Sequence, residues 1–235
     1  MSQWRVKRFW TAASAHAVPG GYEVRLDART VKTPGKHPLL LPTLALADAI
    51  AAEWDAQTGE IKPAQMPMTR FANSAVEKVA PQFAAVVAEV ASYGASDLLC
   101  YRATKPQALI GRQAKGWDPI LAWARQTFAA PLIVTAGVMP VPQPKASLTA
   151  LHAEVAALTP FQLVALHDLV AISGSLVLGL AVARERLDQA AAFDLSRIDE
   201  HWQAELWGRD EEATAMEARK RADFTAAARF FHSCG

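Results

Sequence analysis

The chain has 235 residues, of which 51% are hydrophobic, and this is enough to form the core of one large domain or two small ones. Its 24 basic and 23 acidic residues give a net charge of +1, so no overall field favours binding to nucleic acid or to an anionic membrane. Cys100 and Cys234 are far apart and lie outside any CxxC motif. This argues against a disulfide framework or a zinc site and fits a reducing compartment.

The first forty residues have the pattern of short strands. Runs rich in aromatic and β-branched residues predict strands over Arg5–Trp10, Tyr22–Leu26 and Arg29–Thr33, with Gly20-Gly21 as a turn. The first ten residues lack the apolar core and the cleavage site of a secretory signal, so we expect no export.

A helix is predicted after these strands, over Leu44–Gln57. Thr43 is a good N-cap, and Leu46, Ile50 and Trp54 recur every four residues. This spacing places Trp54 on the apolar face, and we therefore expect it to have a folding role.

The rest of the chain is predicted to be mainly helical, most densely over Ser147–Phe231. Pro119 is expected to break a helix or to start a new one, and Leu132–Val141 is expected to be extended. The sequence thus predicts an α+β protein, with a β-rich domain with one helix over 1–63 and a helical domain over 64–235.

The uncharged segment Leu169–Ala183 is too short to span a bilayer and is predicted to form one buried helix. Four small residues spaced by four would form a smooth ridge on it, against which a second helix could pack closely; they are Ala171, Ser175, Gly179 and Ala183. Ser175 and Gly179 are therefore predicted to be structural residues.

The segment Ile198–Ala213 concentrates two tryptophans and six carboxylates in sixteen residues. If one helix runs through Gly208, Ile198, Trp202 and Leu206 face the core, and Trp207 lies among acids on roughly the opposite side. Trp207 either docks a partner or packs against another part of the same chain.

We find no motif for catalysis, for a metal or for a cofactor. The six histidines are scattered, and no HExxH, GxSxG, phosphate-binding or dinucleotide-binding motif is present. His201 with Asp210, Glu211 and Glu212 could host acid–base chemistry, but an acidic helix end is more often solvated or turned to a partner. We predict that the protein is not an enzyme and has no catalytic, cofactor-binding or metal-binding residues.

Eleven short motifs, taken in order from about Phe9 to about Phe224, resemble one family. Each motif alone is weak, but their order is specific. The motifs are LDAR at 26–29, KTP at 32–34, LPT at 41–43, EWDAQ at 53–57, MPMT at 66–69, DLLCYRA at 97–103, RQ at 112–113, WDP at 117–119, QP at 143–144, GSLVL at 174–178 and WGRDEEA at 207–213. The chain is similar to the assembly chaperones for the α subunit of the F-type ATP synthase head, the Atp-twelve family. It departs at Ala28, where the family tends to have Gly.

The resemblance implies an N-terminal β domain and a helical C-terminal domain. It implies a protein that holds the unassembled α subunit, prevents its aggregation and releases it to the β subunit. The partner-binding residues that it suggests are Glu205, Trp207, Asp210 and Glu212. It also implies a cytoplasmic bacterial homologue of chaperones that act in the mitochondrial matrix, and we expect a monomer without nucleic-acid partner or membrane insertion.

Two alternatives stay open at this point. The carboxylates Glu205, Asp210 and Glu212 could serve a small-molecule enzyme, which would need them in a deep pocket. The chain could instead be a regulatory subunit of another complex, with which it would then co-purify.

Overall fold

The computed structural model describes residues 7–137, 139–208 and 210–235. They divide into two compact units: the first comprises residues up to Phe83 together with Pro160–Ala165 and Arg229–Gly235, and the second comprises Ala84–Thr159 and Leu166–Ala228. A small N-terminal sheet followed by mostly helical chain confirms the predicted α+β class. The domain boundary near Pro63 stays a prediction.

The first unit begins with a three-stranded antiparallel sheet. Its strands are β1 (Ala13–Val18), β2 (Gly21–Leu26) and β3 (Arg29–Thr30), in the order β1-β2-β3. Gly20 forms the predicted turn with a φ of +88°, in the left-handed region that glycine adopts without steric cost. The sequence pattern missed β1, because its alanine, serine and histidine residues are weak strand signals.

The strand predicted over Arg5–Trp10 is not found in its described part, residues 7–10. Lys7 forms only an isolated bridge with Glu60, and the Arg8 guanidinium donates to backbone carbonyls, among them that of Gln57 at 2.9 Å. The isolated bridge, the backbone hydrogen bond from the Arg8 amide to the Gly59 carbonyl at 2.6 Å and the side-chain contacts of Arg8 thus hold this segment, where the pattern predicted a strand ladder.

Helix α1 (Leu44–Asp55) confirms the helix that was predicted after the strands, over Leu44–Gln57. The Thr43 hydroxyl accepts a hydrogen bond from the amide of Leu46 at 3.1 Å and donates one to the carbonyl of Ser233. Trp54 is only half-buried, and its ring meets that of Trp10 edge-on with centroids 5.3 Å apart.

Helix α2 (Pro67–Ser74) begins at a carboxylate supplied by α1. Glu53 accepts hydrogen bonds from the amides of Met68 at 2.7 Å and Thr69 at 2.8 Å, which are two of the donors that a helix N-terminus leaves without partners. The core of the unit includes Phe230, whose ring lies 5.1 Å from that of Phe71 and 6.5 Å from that of Phe161.

Short irregular turns link α2 to the next helix. They are a π-helical turn (Ala75–Val79) and a 3₁₀ turn (Ala80–Gln82). The continuous run Pro67–Cys100 is, by length and composition alone, apolar enough to cross a membrane. Core helices of soluble proteins meet the same criterion, so this run is weak evidence for a membrane span.

The second unit is built mainly from helices. They are α3 (Phe83–Ser92, from Ala84), α4 (Gln107–Phe128), α5 (Lys145–Ala156), α6 (Pro160–Ser173, from Leu166), α7 (Leu176–Ala183), α8 (Gln189–Ser196), α9 (Ile198–Trp207) and α10 (Glu211–Ser233, to Ala228). The two-residue strands β4 (Tyr101–Arg102) and β5 (Thr135–Ala136) pair in parallel.

One prediction for this region is wrong. Helix α4 continues through Pro119, where the sequence predicted a break. Pro119 lies on the exposed side of the helix, where water can bond the carbonyl that lacks an amide donor. In the segment predicted to be extended over Leu132–Val141, the strand that the structure shows is the short β5.

The single helix predicted over Leu169–Ala183 is also wrong. Gly174 has a φ of +73°, which ends α6 at Ser173, and the Ser175 hydroxyl then caps α7 by accepting the amide of Leu178 at 3.0 Å. The predicted ridge of small residues therefore does not form on one helix.

Gly179 nevertheless lies in a close contact between helices. A Cβ atom placed there would come within 2.8 Å of the Val170 side chain and 3.1 Å of that of Leu166, both on α6. The absence of a side chain at Gly179 allows α6 and α7 to approach each other this closely.

A buried carboxylate joins the start of α7 to the segment before β4. Asp97 is fully buried and accepts hydrogen bonds from the amide of Leu99 at 3.0 Å, the hydroxyl of Ser175 at 2.7 Å and the amide of Val177 at 3.0 Å. Burial raises the pKa of Asp97 to about 6, although these hydrogen bonds act to lower it. We call Asp97, Ser175 and Val177 the Asp97 junction.

Candidate functional site

The acidic segment forms a corner between two helices. Helix α9 ends at Trp207, because Gly208 adopts a φ of +90°, and α10 begins at Glu211. We call residues 205–208, 210–213 and 216 the α9–α10 corner. The sequence prediction of a helix through Gly208 is therefore wrong, and Arg209 lies outside the described residues.

The corner exposes three large apolar side chains. Trp207 is 84% exposed, Leu206 61% and Met216 52%. The interpretation in which Trp207 packs against its own chain is wrong, and so is the core position predicted for Leu206, although Ile198 of the same helix is buried. Exposed tryptophan is uncommon on a surface without a partner and is enriched at the centres of protein interfaces.

Glu205 stabilises the packing of α9 against α4. Its carboxylate accepts two hydrogen bonds from the guanidinium of Arg112, at 2.7 and 2.8 Å, and that guanidinium lies 4.9 Å from the ring centroid of Trp202. The hydrogen bond to Glu205 raises the pKa of Arg112. Glu205 is therefore already paired within its own chain.

Asp210 and Glu212 differ from Glu205 and from each other. The Asp210 carboxylate accepts the amide of Ala213 at 2.9 Å and so caps α10. Among the residues that the structure describes, no hydrogen-bond or ion-pair partner is found for the exposed Glu212. Of the three predicted partner-binding carboxylates, Glu212 is thus the one whose position the fold does not explain.

These acids could brace the fold by pairing with an arginine of another helix or loop, such as Arg184 or Arg186. Arg184 instead forms an ion pair with Glu154 at 2.5 Å. The brace is Arg112, which belongs to the RQ motif on α4.

A groove of about 440 Å³ lies between α9 and α10 at this corner. Its lining combines apolar, acidic and basic side chains: Arg197, Glu200, His201, Gln203, Ala204, Trp207, Gly208, Asp210, Ala213, Thr214, Met216, Glu217 and Lys220. We call the end of the groove at Asp210 its outer end and the end at Lys220 its inner end. Near the inner end, two polar contacts connect α10 to the neighbouring helices: His201 Nε2 to Glu217 Oε1 at 2.9 Å, and Arg221 to Asp194 at 2.5 Å. We call this the α9–α10 groove.

The arrangement does not assemble the acid–base cluster considered from the sequence. His201 pairs with Glu217, Glu205 pairs with Arg112, and Asp210 caps its own helix. Within residues 7–137, 139–208 and 210–235, no group of three or more His, Cys, Asp or Glu side chains is placed to hold a metal ion.

Sequence reasoning missed Gln113, which is buried beside Arg112. Its side chain accepts the amide of Ala103 at 2.8 Å and donates to Asp199 at 2.6 Å, so it connects α4 to α9. A polar residue on the helix face defined by Leu109 and Trp117 was the available signal.

The structure assigns the three predicted structural residues to different places. Trp54 lies in the first unit against Trp10, Ser175 is part of the Asp97 junction, and Gly179 lies against α6. None of them belongs to the α9–α10 corner.

Comparison with known proteins gives consistent matches over the whole chain. Residues 7–125 match the family described as ATP12 chaperone protein. Among solved structures, Atp12 from Paracoccus denitrificans is 55% identical, with a TM-score of 0.96 over 99% of this chain and 100% of that one. A mutant of the same Atp12p has a TM-score of 0.97, also at 55% identity, over 100% of both chains. A candidate chaperone from Agrobacterium tumefaciens is 39% identical, with a TM-score of 0.94 over 97% of this chain and 86% of that one.

The fold is thus that of a chaperone, and the chaperone family implies a protein client. More specifically, the chain belongs to the ATP12 chaperone protein family, whose role is in ATP synthase assembly.

Proposed function

We propose that this protein binds the unassembled α subunit of F-type ATP synthase and keeps it soluble until the β subunit takes its place. Membership of the ATP12 chaperone protein family is the observation that carries this proposal. We also propose that it acts as a monomer in the cytoplasm of a bacterium and uses no catalytic step.

The surface of the second unit supports the proposal. A subunit that lacks its obligate partner exposes a large apolar interface, and a protein that covers it needs apolar anchors more than a catalytic cleft. Trp207, Leu206 and Met216 provide such anchors, and the exposed carboxylate of Glu212 can add a charged contact. Glu205 and Asp210 hold the anchors in position by fixing α9 and the start of α10.

The test is to co-express the α subunit with the wild-type protein, with a Trp207→Ala variant and with a Met139→Ala variant. Met139 is 73% exposed but lies outside the corner, so it is a matched control for loss of an exposed apolar side chain. We expect the wild type and Met139→Ala to raise the amount of soluble α subunit, and Trp207→Ala to raise it much less.

Equal α-subunit solubility with and without the wild-type protein would contradict the proposal. Size measurement in solution by light scattering tests the monomeric state separately. A stable dimer there would overturn that part alone.

A further inference from the structure

The α9–α10 groove has the length of a short helix. On the α9 side its lining runs from Arg197 to Trp207, and on the α10 side from Asp210 to Lys220. Each stretch covers ten residue steps, or about 15 Å at the helical rise of 1.5 Å per residue. A helical segment of about ten residues would fill this length.

The backbone of the groove offers few hydrogen bonds to an extended peptide. Both walls are helices, whose amides and carbonyls are bonded within the helix except in the terminal turns, so a partner cannot add to them as a strand adds to a sheet edge. Recognition must therefore use side chains. Ala204 and Ala213 leave room for a helix to approach, while Trp207 and Met216 are exposed to pack against its apolar face.

The charges of the groove are unequal at its two ends. Asp210 lines the outer end, and Glu211 and Glu212 are exposed beside it, so this end is acidic. The inner end is mixed: Lys220 and Arg197 line it together with Glu217 and with Glu200, which pairs with Arg197 at 2.8 Å. A helix has a partial positive charge at its N-terminus and a partial negative charge at its C-terminus. The acidic outer end is therefore complementary to a helix whose N-terminal end lies at Asp210.

We propose that the α9–α10 groove binds one amphipathic helical segment of the client, about ten residues long, with its N-terminal end toward Asp210 and its C-terminal end toward Lys220. This inference rests on the proposed function, since it assumes that the client is the α subunit. The outer turns of α10 are exposed nearly all round, which leaves the groove open to such a segment.

The first test fills the groove. Ala213 lines it, whereas Ala215 is exposed on the same helix and faces away from it, so Ala213→Trp and Ala215→Trp form a matched pair. We expect Ala213→Trp to weaken binding of the α subunit at least about tenfold, and Ala215→Trp to change it less than about twofold. Equal effects of the two variants would overturn the groove as the binding site.

The second test maps the bound segment. A photo-crosslinking amino acid is placed at Ala213 in one protein and at Lys220 in another, each mixed with the α subunit. Because these positions are seven residues apart on α10, we expect cross-links in a single client helix, those from position 213 about seven residues N-terminal to those from position 220. The reverse order would overturn the orientation, and cross-links to a second chaperone copy would overturn the occupant.

These outcomes separate the inference from the proposed function. If the wild type binds the α subunit and both tests fail, the groove is wrong and the client stands. If the wild type binds no α subunit, the proposed function itself fails. If a tryptophan variant no longer unfolds cooperatively, its loss of binding reports misfolding and does not test the groove. The cross-links from position 220 then test whether the client lies in the groove, because Lys220 is exposed and its replacement leaves the core unchanged.

Discussion

The Asp97 junction and the α9–α10 corner lie in the same unit, contain motifs of the same family resemblance, and differ in where their side chains find partners. At the junction the Asp97 carboxylate is buried and accepts three hydrogen bonds from its own chain. At the corner Trp207 and Glu212 point to solvent. The folding of the chain explains the first motif, whereas in the second it leaves the exposure of Trp207 and Glu212 unexplained, as expected if they contact the client that we propose.

This difference gives opposite expectations for mutants. Changes at the junction should alter the free energy of unfolding and affect client binding only through the fold. Changes at the corner should alter client binding and leave the free energy of unfolding nearly unchanged. The largest loss of stability is expected at the junction and the smallest at the corner.

Asp97→Ala should have the largest effect. It leaves three hydrogen-bond donors without their acceptor: the amide of Leu99, and the hydroxyl of Ser175 and the amide of Val177 at the start of α7. Each such loss costs about 1–3 kcal/mol. We expect a loss of roughly 3 kcal/mol or more in denaturant unfolding. Asp188→Ala is the control, because Asp188 is an exposed cap of α8 that should cost only about 1 kcal/mol. Equal losses would contradict a special role for the buried carboxylate.

Gly179→Leu should come next. Even a Cβ atom meets the stiff Val170 side chain at 2.8 Å, so the larger residue must push α6 and α7 apart, at a cost of about 1–3 kcal/mol. Gly111→Leu in α4 is the matched control, because nothing lies within 4 Å of a Cβ placed there. A thermal melt in which both variants unfold at the wild-type temperature would disprove the close contact.

The pH dependence of stability should report the charge of Asp97. Its pKa is about 6 in the folded protein and 3.8 when unperturbed, so the folded state binds the proton more tightly. The stability this contributes is full below about pH 4 and is lost as the pH rises through about 6, by roughly 3 kcal/mol at most. Relative to Asp97→Asn, the wild type should therefore lose stability over this window. Parallel stability curves for the two proteins would refute the assignment.

Trp54→Ala tests a position between the two extremes. Trp54 is half-buried against Trp10, so we expect a loss of roughly 2–3 kcal/mol, below the loss for a fully buried tryptophan. The same substitution at Trp207, which is 84% exposed, should leave the melting temperature nearly unchanged. Equal melting temperatures for Trp54→Ala and Trp207→Ala would show that side-chain exposure does not predict the different costs of the two substitutions.

Glu212→Lys should have the smallest effect on stability, within about 0.5 kcal/mol, and should still weaken protection of the α subunit. Both quantities are measured on the same protein. Loss of both would indicate that Glu212 braces the fold, and retention of both would remove it from the binding surface. Asp210→Ala is the comparison, since it removes a helix cap and should cost about 1 kcal/mol.

The sequence predicted the local features of the fold where one residue decides the outcome. Thr43 marks the start of α1, and Gly20 marks the first turn, because a cap or a left-handed turn depends on few neighbours. The break at Gly174 was missed because an uncharged apolar run reads as one helix. The turn at Gly174 and the cap by Ser175 are held by hydrogen bonds to Asp97, which is 78 residues before Ser175 and which a local pattern cannot reveal.

The candidate site was predicted in part. Trp207 and the acids were identified as one segment, but not which of them bind their own chain, because the contact of Glu205 with Arg112 joins residues 93 apart. Periodicity also placed Leu206 in the core, since it cannot show that the last turn of a helix lacks a neighbouring element. A distant contact identifies Glu205 as structural, and a local helix cap identifies Asp210, which leaves Glu212.

The aromatic contacts of Phe230 and the link between Thr43 and Ser233 have a consequence for biosynthesis. Residues 229–235 belong to the same compact unit as the N-terminal sheet and α1. A ribosome delivers the sheet and α1 long before residues 229–235, so the first unit cannot complete its core until that segment has been made. Until translation passes Phe230, the nascent chain exposes apolar surface of the first unit, much as the proposed client would before it meets its chaperone.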